Sequence, residues 1–447
     1  MAKYKYLAVI GSLVLSGAAA ADLPDPIGRP WLGYGLNIEP QPGGGTSPGT
    51  YTSTEASLDD TRIGAINPQL ARVTWTTTGF DPTGEVGVYD WTTTWAKNEF
   101  IALDKLKARN IPIMTGWWDT PWDATSSDHA TVVADFLEYL IKSKGYMNIV
   151  AWDGINEPNH RDPTTYARWK TEVTNIKAAI ASRNLSVEIL GPGTQDVDTT
   201  PVWLKSAASE MSEDLGGYDI HYYPVTEETG ISNGDAGRQV AGFVSDVDSE
   251  DTSNKPFYIE ELGWKYGWVS TDDSQPNVVN YSYGLNMGDL GIQVARAGVS
   301  AALAWRLCDL GSPHIWGMYD GSSGNTALRP WSYSWTMLSN AFPKDATLYA
   351  PTDASGVRTL VGSTGSGTST RWSLAGVNTG SSQVSTTLHL PNAAEATFTR
   401  YYYFDGDRLT DANGFPASDG TVTANGEDEV TLDIPANSFV ILTNVPT

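Results

Sequence analysis

Two segments of the sequence place carboxylates directly after an apolar run. Residues 149–156 lead into Glu157, which precedes a proline. Residues 256–259 lead into Glu260 and Glu261, which precede a Leu-Gly pair. Each pattern is typical of a β-strand that ends at a carboxylate and then turns. Two carboxylates at the ends of two strands could carry out glycoside hydrolysis, one as the acid and one as the nucleophile or base.

Strand-like and helix-like patterns alternate through most of the chain. Apolar runs predict strands at residues 31–38, 70–75, 111–117, 149–156, 187–191, 218–223, 256–261 and 299–306. Helical periodicity predicts helices at residues 57–66, 93–110, 130–144, 163–184, 201–212, 235–247, 285–297 and 332–340. Eight such units in roughly 310 residues predict a (β/α)8 (TIM) barrel rather than an open sheet. The carboxyl ends of barrel strands carry the chemistry, and Glu157 and Glu261 end the fourth and seventh strands.

The two ends of the chain differ from this pattern. Short alternating runs replace the helices from about residue 346, so residues 346–447 are predicted to form an all-β sandwich after a catalytic barrel at residues 22–345. Residues 1–21 combine two lysines, an apolar run too short to span a bilayer and a string of alanines. This is typical of a secretory signal peptide, which predicts an extracellular protein, or a periplasmic one in a bacterium.

Composition narrows the range of partners and cofactors. The chain has 52 acidic and 28 basic residues, a net charge of −24, which disfavours nucleic acids and anionic membranes. The 17 Trp and 21 Tyr favour a polysaccharide or oligosaccharide, because aromatic rings stack on sugars. Cys308 is the only cysteine and lies next to an apolar run, so a buried thiol is expected. With no zinc-type spacing, phosphate-binding glycine loop or Ser/His/Asp motif, we expect no metal or cofactor. The oligomeric state stays open.

The Asn-Glu-Pro of residues 156–158 and the Glu-Leu-Gly of residues 261–263 resemble motifs of the retaining (β/α)8-barrel glycoside hydrolases, clan A. The sequence is most similar in character to family 39, with families 30, 51 and 5 as alternatives. The resemblance implies that Glu157 is the acid/base and Glu261 the nucleophile. It also implies site positions on strands two, six and eight for Arg72, His221, Tyr223 and Trp305. The C-terminal sandwich resembles that of families 39, 30 and 51.

The chemistry of a retaining enzyme assigns a task to each neighbouring group. Glu157 would need a raised pKa in the free enzyme to hold its proton. Arg72 and Tyr223 could donate hydrogen bonds that keep Glu261 ionised and oriented. Asn156 could bind the sugar 2-hydroxyl group, a contact that strengthens in the transition state.

Further substrate contacts are expected around the mouth of the barrel. Trp305 would form a stacking surface beneath the sugar, and His221 is either a structural histidine or a substrate contact. Loop positions over the mouth are predicted for Trp117, Trp118, Asp119, Trp122, Trp264 and Glu39. Glu260 competes with Glu261 for the nucleophile role, and since neighbours on a strand point to opposite faces, only one of them is expected to face the lumen. The resemblance favours Glu261, which would leave Glu260 as a structural or outer carboxylate.

The leading hypothesis is a secreted retaining enzyme that cleaves β-type glycosidic bonds by double displacement. One alternative is a non-catalytic carbohydrate-binding protein on a barrel scaffold. Another is an inverting enzyme, whose carboxyl groups would lie about 6.5–9.5 Å apart rather than about 5 Å. The sequence leaves open the sugar, the linkage and the choice between exo and endo action.

Overall fold

The computed structural model describes residues 20–446, except residues 40–48, 120–121, 161–164, 196–199, 310–313, 322–325, 355 and 406–407. Residues 1–19 of the predicted signal peptide lie outside the described residues. No helix in the described part of the chain has the length and apolar character needed to cross a membrane.

Eight parallel strands form a closed barrel, which confirms the predicted fold. Each strand pairs with the next along the chain, and the eighth pairs with the first. The strands are β1 (Gly33–Asn37), β2 (Ala71–Thr76), β3 (Ile113–Asp119), β4 (Ile149–Ile155), β5 (Glu188–Thr194), β6 (Gly217–Tyr222), β7 (Phe257–Leu262) and β8 (Ala301–Ala304). All eight overlap their predicted positions, because strands packed inside a barrel and covered by helices are rich in apolar residues.

The helices of the barrel are amphipathic and cover its outside. They are α1 (Ser53–Ile66), α2 (Thr94–Ala108), α3 (Ser127–Glu138), α4 (Tyr166–Ser182), α5 (Thr200–Met211), α6 (Glu228–Ser232), α7 (Asp235–Asp248), α8 (Tyr281–Arg296) and α9 (Pro330–Ala341). The first helix begins earlier than residue 57, because Thr52 and Glu55 form a reciprocal capping box at its start.

The barrel interior is apolar at one end and polar at the other. Leu70 and Ala151 belong to a small apolar cluster inside the barrel. Two positions further along the same strands, and therefore on the same face, lie the buried charges Arg72 and Asp153. Packing thus fills the end where the strands begin, and the polar groups face the end where the strands finish.

The C-terminal domain is a β-sandwich, as predicted. One sheet has six strands in the order β14-β13-β16-β11-β10-β9, and the other pairs β12 with β15. The strands are β9 (Thr347–Tyr349), β10 (Val357–Thr364), β11 (Arg371–Asn378), β12 (Val384–His389), β13 (Thr397–Phe404), β14 (Gly420–Thr423), β15 (Glu429–Ile434) and β16 (Ser438–Thr443). Alternating runs at residues 358–361, 370–376, 385–390, 397–404, 429–434 and 439–443 predict six of these strands from the sequence. The two short strands β9 and β14 were not predicted.

Close contacts join the sandwich to the barrel. Gly288 of α8 lies against Phe439 of β16, where an added Cβ would come within 3.2 Å of the ring. The buried Asp289 forms an ion pair with Arg358 of the sandwich. At the N-terminal end of the described chain, the backbone of Ala21 exchanges hydrogen bonds with β12. The chain therefore touches the sandwich before it enters the barrel.

Candidate active site

Asn156 and Glu157 directly follow the fourth strand and lie at the open end of the barrel. The Asn156 backbone N–H donates to the Trp117 carbonyl at 2.8 Å, which continues the pairing with β3 for one residue beyond the strand. Glu157 then adopts a positive φ of 50°, an uncommon backbone for a residue other than glycine. The chain turns there, and the Glu157 side chain remains 23% exposed at the mouth.

The seventh strand has a β-bulge at its two glutamates. Consecutive residues of β6 pair with Ile259 and Glu261, so Glu260 is the extra residue. Both carboxylates turn toward Arg72: Glu261 Oε1 lies 2.5 Å from Nη1, and Glu260 Oε2 lies 3.8 Å from Nε. The alternation that would turn only one of two neighbours inward does not hold here, because the bulge interrupts it.

Two donors hold the Glu261 carboxylate, as expected from the sequence. Arg72 Nη1 donates to one oxygen at 2.5 Å, and Tyr223 Oη donates to the other at 2.6 Å. Arg72 is itself fixed by Asp153 and by Asn156, whose Oδ1 accepts from Nη2 at 3.0 Å. Each carboxylate oxygen therefore has a charged or polar donor, which fixes the direction of the carboxylate.

The two candidate catalytic carboxylates lie close to each other across His221. One carboxylate oxygen of Glu157, one ring nitrogen of His221 and one carboxylate oxygen of Glu261 all lie within 4.8 Å of one another. His221 Nδ1 is 3.0 Å from Glu157 Oε1 and 3.4 Å from Glu261 Oε2. An imidazole between two carboxylates can donate to either of them. One oxygen of each carboxyl group therefore lies within 4.8 Å of the other, so both groups can reach the same bond.

The expected raised pKa of Glu157 is not found. Burial alone would raise the pKa of Glu157, but the hydrogen bond to His221 and the nearby His221, His160 and Lys265 charges outweigh burial and lower it. The sequence-based expectation is therefore wrong for the free protein, because it omitted the basic groups on neighbouring loops. The ionised form of Glu157 is favoured until the pH is acidic.

A glutamine links Glu157 to a lysine beyond β7. In the amide orientation that satisfies both neighbours, Gln195 donates to Glu157 Oε1 at 3.2 Å. Its oxygen then accepts from Lys265 Nζ at 3.0 Å. The ammonium group also lies 5.6 Å from the centre of the Tyr223 ring, beside the nucleophile. Neither Gln195 nor Lys265 was predicted from the sequence as a site residue. The only signal for such a role was their position just after predicted strands.

A cavity of about 500 Å³ opens beside Glu157. Its wall combines groups from the catalytic centre with residues of the loop after β6 and of α7. The lining includes His160, Gln195, His221, Tyr223, Val225, Phe243 and Lys265. Space for the part of a ligand beyond the reacting bond therefore lies on the same side as the candidate acid.

Two of the predicted aromatic residues lie together at the mouth. Trp305 follows β8, and its ring meets the ring of Trp118 edge-on with centroids 5.6 Å apart. Trp118 is partly exposed, and Asp119 beside it is exposed. Both residues belong to the end of β3 rather than to a loop. This pair is the part of the predicted sugar surface that the structure places at the open end.

Three other predicted contact residues are buried. Trp117 lies within β3, and its ring packs against Trp152 at a centroid distance of 5.1 Å. Trp264 is buried, with its Nε1 donating to a backbone carbonyl at 2.8 Å. Glu39 is buried in an ion pair with Arg306 at 2.8 Å. The predicted loop position is therefore wrong for Trp117. Because all three side chains are fully buried, none of them is available to contact a sugar. Trp122 is partly buried against the core.

Cys308 is buried, as expected, and burial raises its pKa to about 12, which disfavours the reactive thiolate.

Asn37, at the end of β1, is a site residue that was not predicted from the sequence. Its Oδ1 lies 3.4 Å from Arg72 Nη1 and its Nδ2 donates to the Glu260 carbonyl at 2.8 Å. The rule that strand ends carry the chemistry could have found it.

Among the described residues, one set has the spacing of a cation site: Glu157, His221 and Glu261. However, Arg72 and Tyr223 already direct hydrogen atoms at Glu261. A guanidinium group in contact with that carboxylate opposes a second positive charge there. The donor set therefore suits proton transfer and nucleophilic attack better than metal binding.

Comparison with solved structures places the whole described fold among glycoside hydrolases. The catalytic domain of the GH30 xylanase C from Talaromyces cellulolyticus matches with a TM-score of 0.68 and 15% identity, covering 95% of this chain and 99% of that one. An α-L-arabinofuranosidase from Thermotoga maritima matches with 0.69 and 14%, covering 94% and 98%. The GH39 enzyme from Xanthomonas axonopodis pv. citri matches with 0.62 and 16%, covering 98% and 100%. The sequence matches no family model and no curated protein.

The matched structures share the barrel and the sandwich with this chain over nearly their whole lengths. The resemblance to clan A inferred from the sequence is therefore confirmed at the level of the fold. Families 30 and 39, both named from the sequence, appear among these three matches. A further match, with a TM-score of 0.66, is a family 51 α-L-arabinofuranosidase from Bifidobacterium longum.

Proposed function

We propose that this protein is a retaining glycoside hydrolase in which Glu157 is the acid/base and Glu261 the nucleophile. The observation that carries the proposal is the asymmetry of a close carboxylate pair. Glu261 has a donor on each oxygen, Arg72 at 2.5 Å and Tyr223 at 2.6 Å, within 4.8 Å of Glu157. Two neighbouring carboxyl groups, one oriented by two donors and the other hydrogen-bonded to His221, match double displacement.

In the first step, Glu261 attacks the anomeric carbon while Glu157 protonates the departing oxygen. The glycosidic bond breaks, and a glycosyl ester forms on Glu261. The Arg72 and Tyr223 donors orient the attacking oxygens. The large cavity on the Glu157 side accommodates the leaving group.

In the second step, Glu157 removes a proton from water, which attacks the same carbon and releases Glu261. This step needs the Glu157 carboxylate, the form that His221 and Lys265 favour in the free protein. The first step needs the acid form. We therefore infer that the activity is greatest at acidic pH, where both forms are accessible in turn.

We further propose that the substrate is a polysaccharide or oligosaccharide containing pentose sugars. The support is that three of the matched structures are described as a xylanase and two α-L-arabinofuranosidases. The partly exposed Trp118, whose ring packs edge-on against the buried Trp305, supports it as well, because it offers an aromatic surface at the end of β3. β-Type linkages are the first choice, and aryl β-xylosides, aryl α-L-arabinofuranosides and xylan are the first substrates to screen.

The stereochemistry of the first-formed product tests the mechanism. Proton NMR of the released sugar should show the anomeric configuration of the substrate. Glu261→Ala should abolish hydrolysis, and azide should restore turnover by attacking from the vacated face, which yields a glycosyl azide of inverted configuration. Near-normal turnover by Glu261→Ala would show that the nucleophile assignment is wrong.

Glu157→Gln is the complementary variant. Loss of the acid should lower the rate for substrates with poor leaving groups by about 10²–10⁴-fold. Attack on substrates with very good leaving groups should be retained, because they do not need protonation. Binding of the same sugars without hydrolysis by the wild-type protein would instead support a non-catalytic carbohydrate-binding role.

We also propose that residues 1–21 direct export and are removed. The support is their sequence pattern of lysines, an apolar run and alanines. N-terminal sequencing of protein from the medium or periplasm should find a chain that begins at or near Asp22. A Leu13→Arg variant should remain inside the cell, and export of the intact N-terminus would contradict the proposal.

A further inference from the structure

A second group of acids lies beneath the catalytic pair, inside the barrel. The bulge in β7 brings Glu260 next to Asp219 of β6, close enough for the two carboxyl groups to share a proton. Asp219 Oδ2 and both Glu260 oxygens have no other hydrogen-bond partner among the described residues. Both residues are completely buried. The proposed reaction uses neither of them directly, so their presence next to the nucleophile needs its own explanation.

Too few positive charges are present to pair with every carboxylate. Arg72 contacts Asp153 and Glu261 directly, whereas the nearest Glu260 oxygen is 3.8 Å from its Nε. His221 Nε2 lies 3.7 Å from Glu260, beyond hydrogen-bonding distance. A buried carboxylate without a partner is strongly destabilising, so a proton has to take the place of the missing cation.

The hydrogen bonds determine where that proton lies. An ionised carboxylate only accepts hydrogen bonds, so two carboxyl groups can bond to each other only if one carries a proton. Asp219 Oδ1 already accepts from the Gly193 backbone N–H at 2.5 Å. Neither oxygen of Glu260 accepts from any nitrogen or hydroxyl donor of the described chain. We propose that Glu260 is a neutral carboxylic acid at neutral pH and donates its proton to Asp219.

The electrostatic surroundings agree with this location. The groups facing Glu260 are Arg72, Asp153, Asp219, His221, Tyr258 and Glu261. Burial and the charges of Asp219 and Asp153 raise the pKa of Glu260 well above its usual value, against the effect of Arg72. Burial raises the pKa of Asp219 only to about 6, so Asp219 is the member of the pair that ionises first.

The neutral acid has a consequence for the proposed reaction, and this step rests on the proposed function. An ionised Glu260 would be a third carboxylate around Arg72 and would add negative charge next to Glu261. Such a charge would compete with Glu261 for the guanidinium group. With Glu260 protonated, Arg72 remains directed at Glu261. Glu260 is therefore a positioning residue that acts through Arg72.

Infrared difference spectroscopy tests the protonation state without any activity measurement. The wild-type minus Glu260→Gln spectrum at neutral pH should contain the C=O band of a protonated carboxylic acid. The wild-type minus Asp219→Asn spectrum should show that band shifted or lost. Glu172→Met is a matched control, because Glu172 is another fully buried acid whose pKa is raised to about 8 by burial. Its difference spectrum should show a separate band, which demonstrates that the method detects such groups.

A carboxylate band in place of the acid band in the Glu260→Gln difference spectrum would overturn the proposal, whatever the catalytic activity of the protein. The kinetic test concerns the positioning role alone. Glu260→Ala should lower kcat/KM by at least about tenfold, and Glu260→Gln, which keeps a donor for Asp219, should recover most of that loss. A Glu260→Gln variant that folds normally and is as inactive as Glu260→Ala would refute the positioning role.

Discussion

Replacing Lys265 by methionine should move the alkaline limit of activity upward. Lys265 Nζ is 3.0 Å from the Gln195 oxygen, and the Gln195 nitrogen is 3.2 Å from Glu157 Oε1. Its positive charge favours the ionised form of Glu157 and so lowers the pKa of that group. Methionine has a similar length and no charge. Without the charge the pKa rises, and the acid form needed for the first step persists to higher pH.

The size of the shift follows from Coulomb's law. The two hydrogen bonds and the intervening amide place the charges about 7 Å apart, and Lys265 is half-buried. With an effective dielectric constant of roughly 40–80, the interaction is worth about 0.6–1.2 kcal/mol. This corresponds to about 0.4–0.9 pH units.

The assay is the pH profile of kcat/KM for a substrate with a poor leaving group. The alkaline limb should move upward by that amount in Lys265→Met and stay in place in Lys265→Arg. For an aryl glycoside with a very good leaving group, the limb should be insensitive to the substitution, because protonation is not required. An unchanged limb, or a downward shift, would refute the link from Lys265 to Glu157.

Two further predictions concern the nucleophile and the fold. Tyr223→Phe removes the 2.6 Å hydrogen bond from Tyr223 to Glu261. Since hydrogen bonds to charged groups are worth about 1.5–3 kcal/mol, kcat/KM should fall about 10–150-fold. Full activity of this variant would exclude Tyr223 as a donor. Glu172 is fully buried and burial raises its pKa to about 8, so the folded state binds its proton more tightly and loses stability as the pH rises from about 4.5 to 8. Glu172→Met should therefore raise the free energy of unfolding, measured by urea denaturation, by up to about 3 kcal/mol at pH 7 but much less at pH 4. An equal effect at both pH values would contradict the raised pKa of Glu172.

The sequence alone determined the fold and the positions of the two central carboxylates. Apolar runs and helical periods are local signals, so the eight units could be counted without knowing how they pack. Since barrel strands end on one side, Glu157 and Glu261 could be placed together from their positions in the fourth and seventh units. The donors Arg72 and Tyr223 came from the resemblance to a known clan, and the structure shows both hydrogen bonds to Glu261.

Tertiary structure decided everything that depends on contacts between distant strands and loops. Trp117 resembles an exposed loop aromatic in the sequence, yet it is a core residue because α3 and β4 pack around it. The pKa of Glu157 depends on His221, which lies in β6, and on Lys265, which lies just after β7. The direction of Glu260 depends on a bulge that forms only where β7 pairs with its neighbours in the closed barrel. Periodicity describes a strand by itself, whereas the protonation and orientation of these acids are set by the partners that barrel closure brings to them.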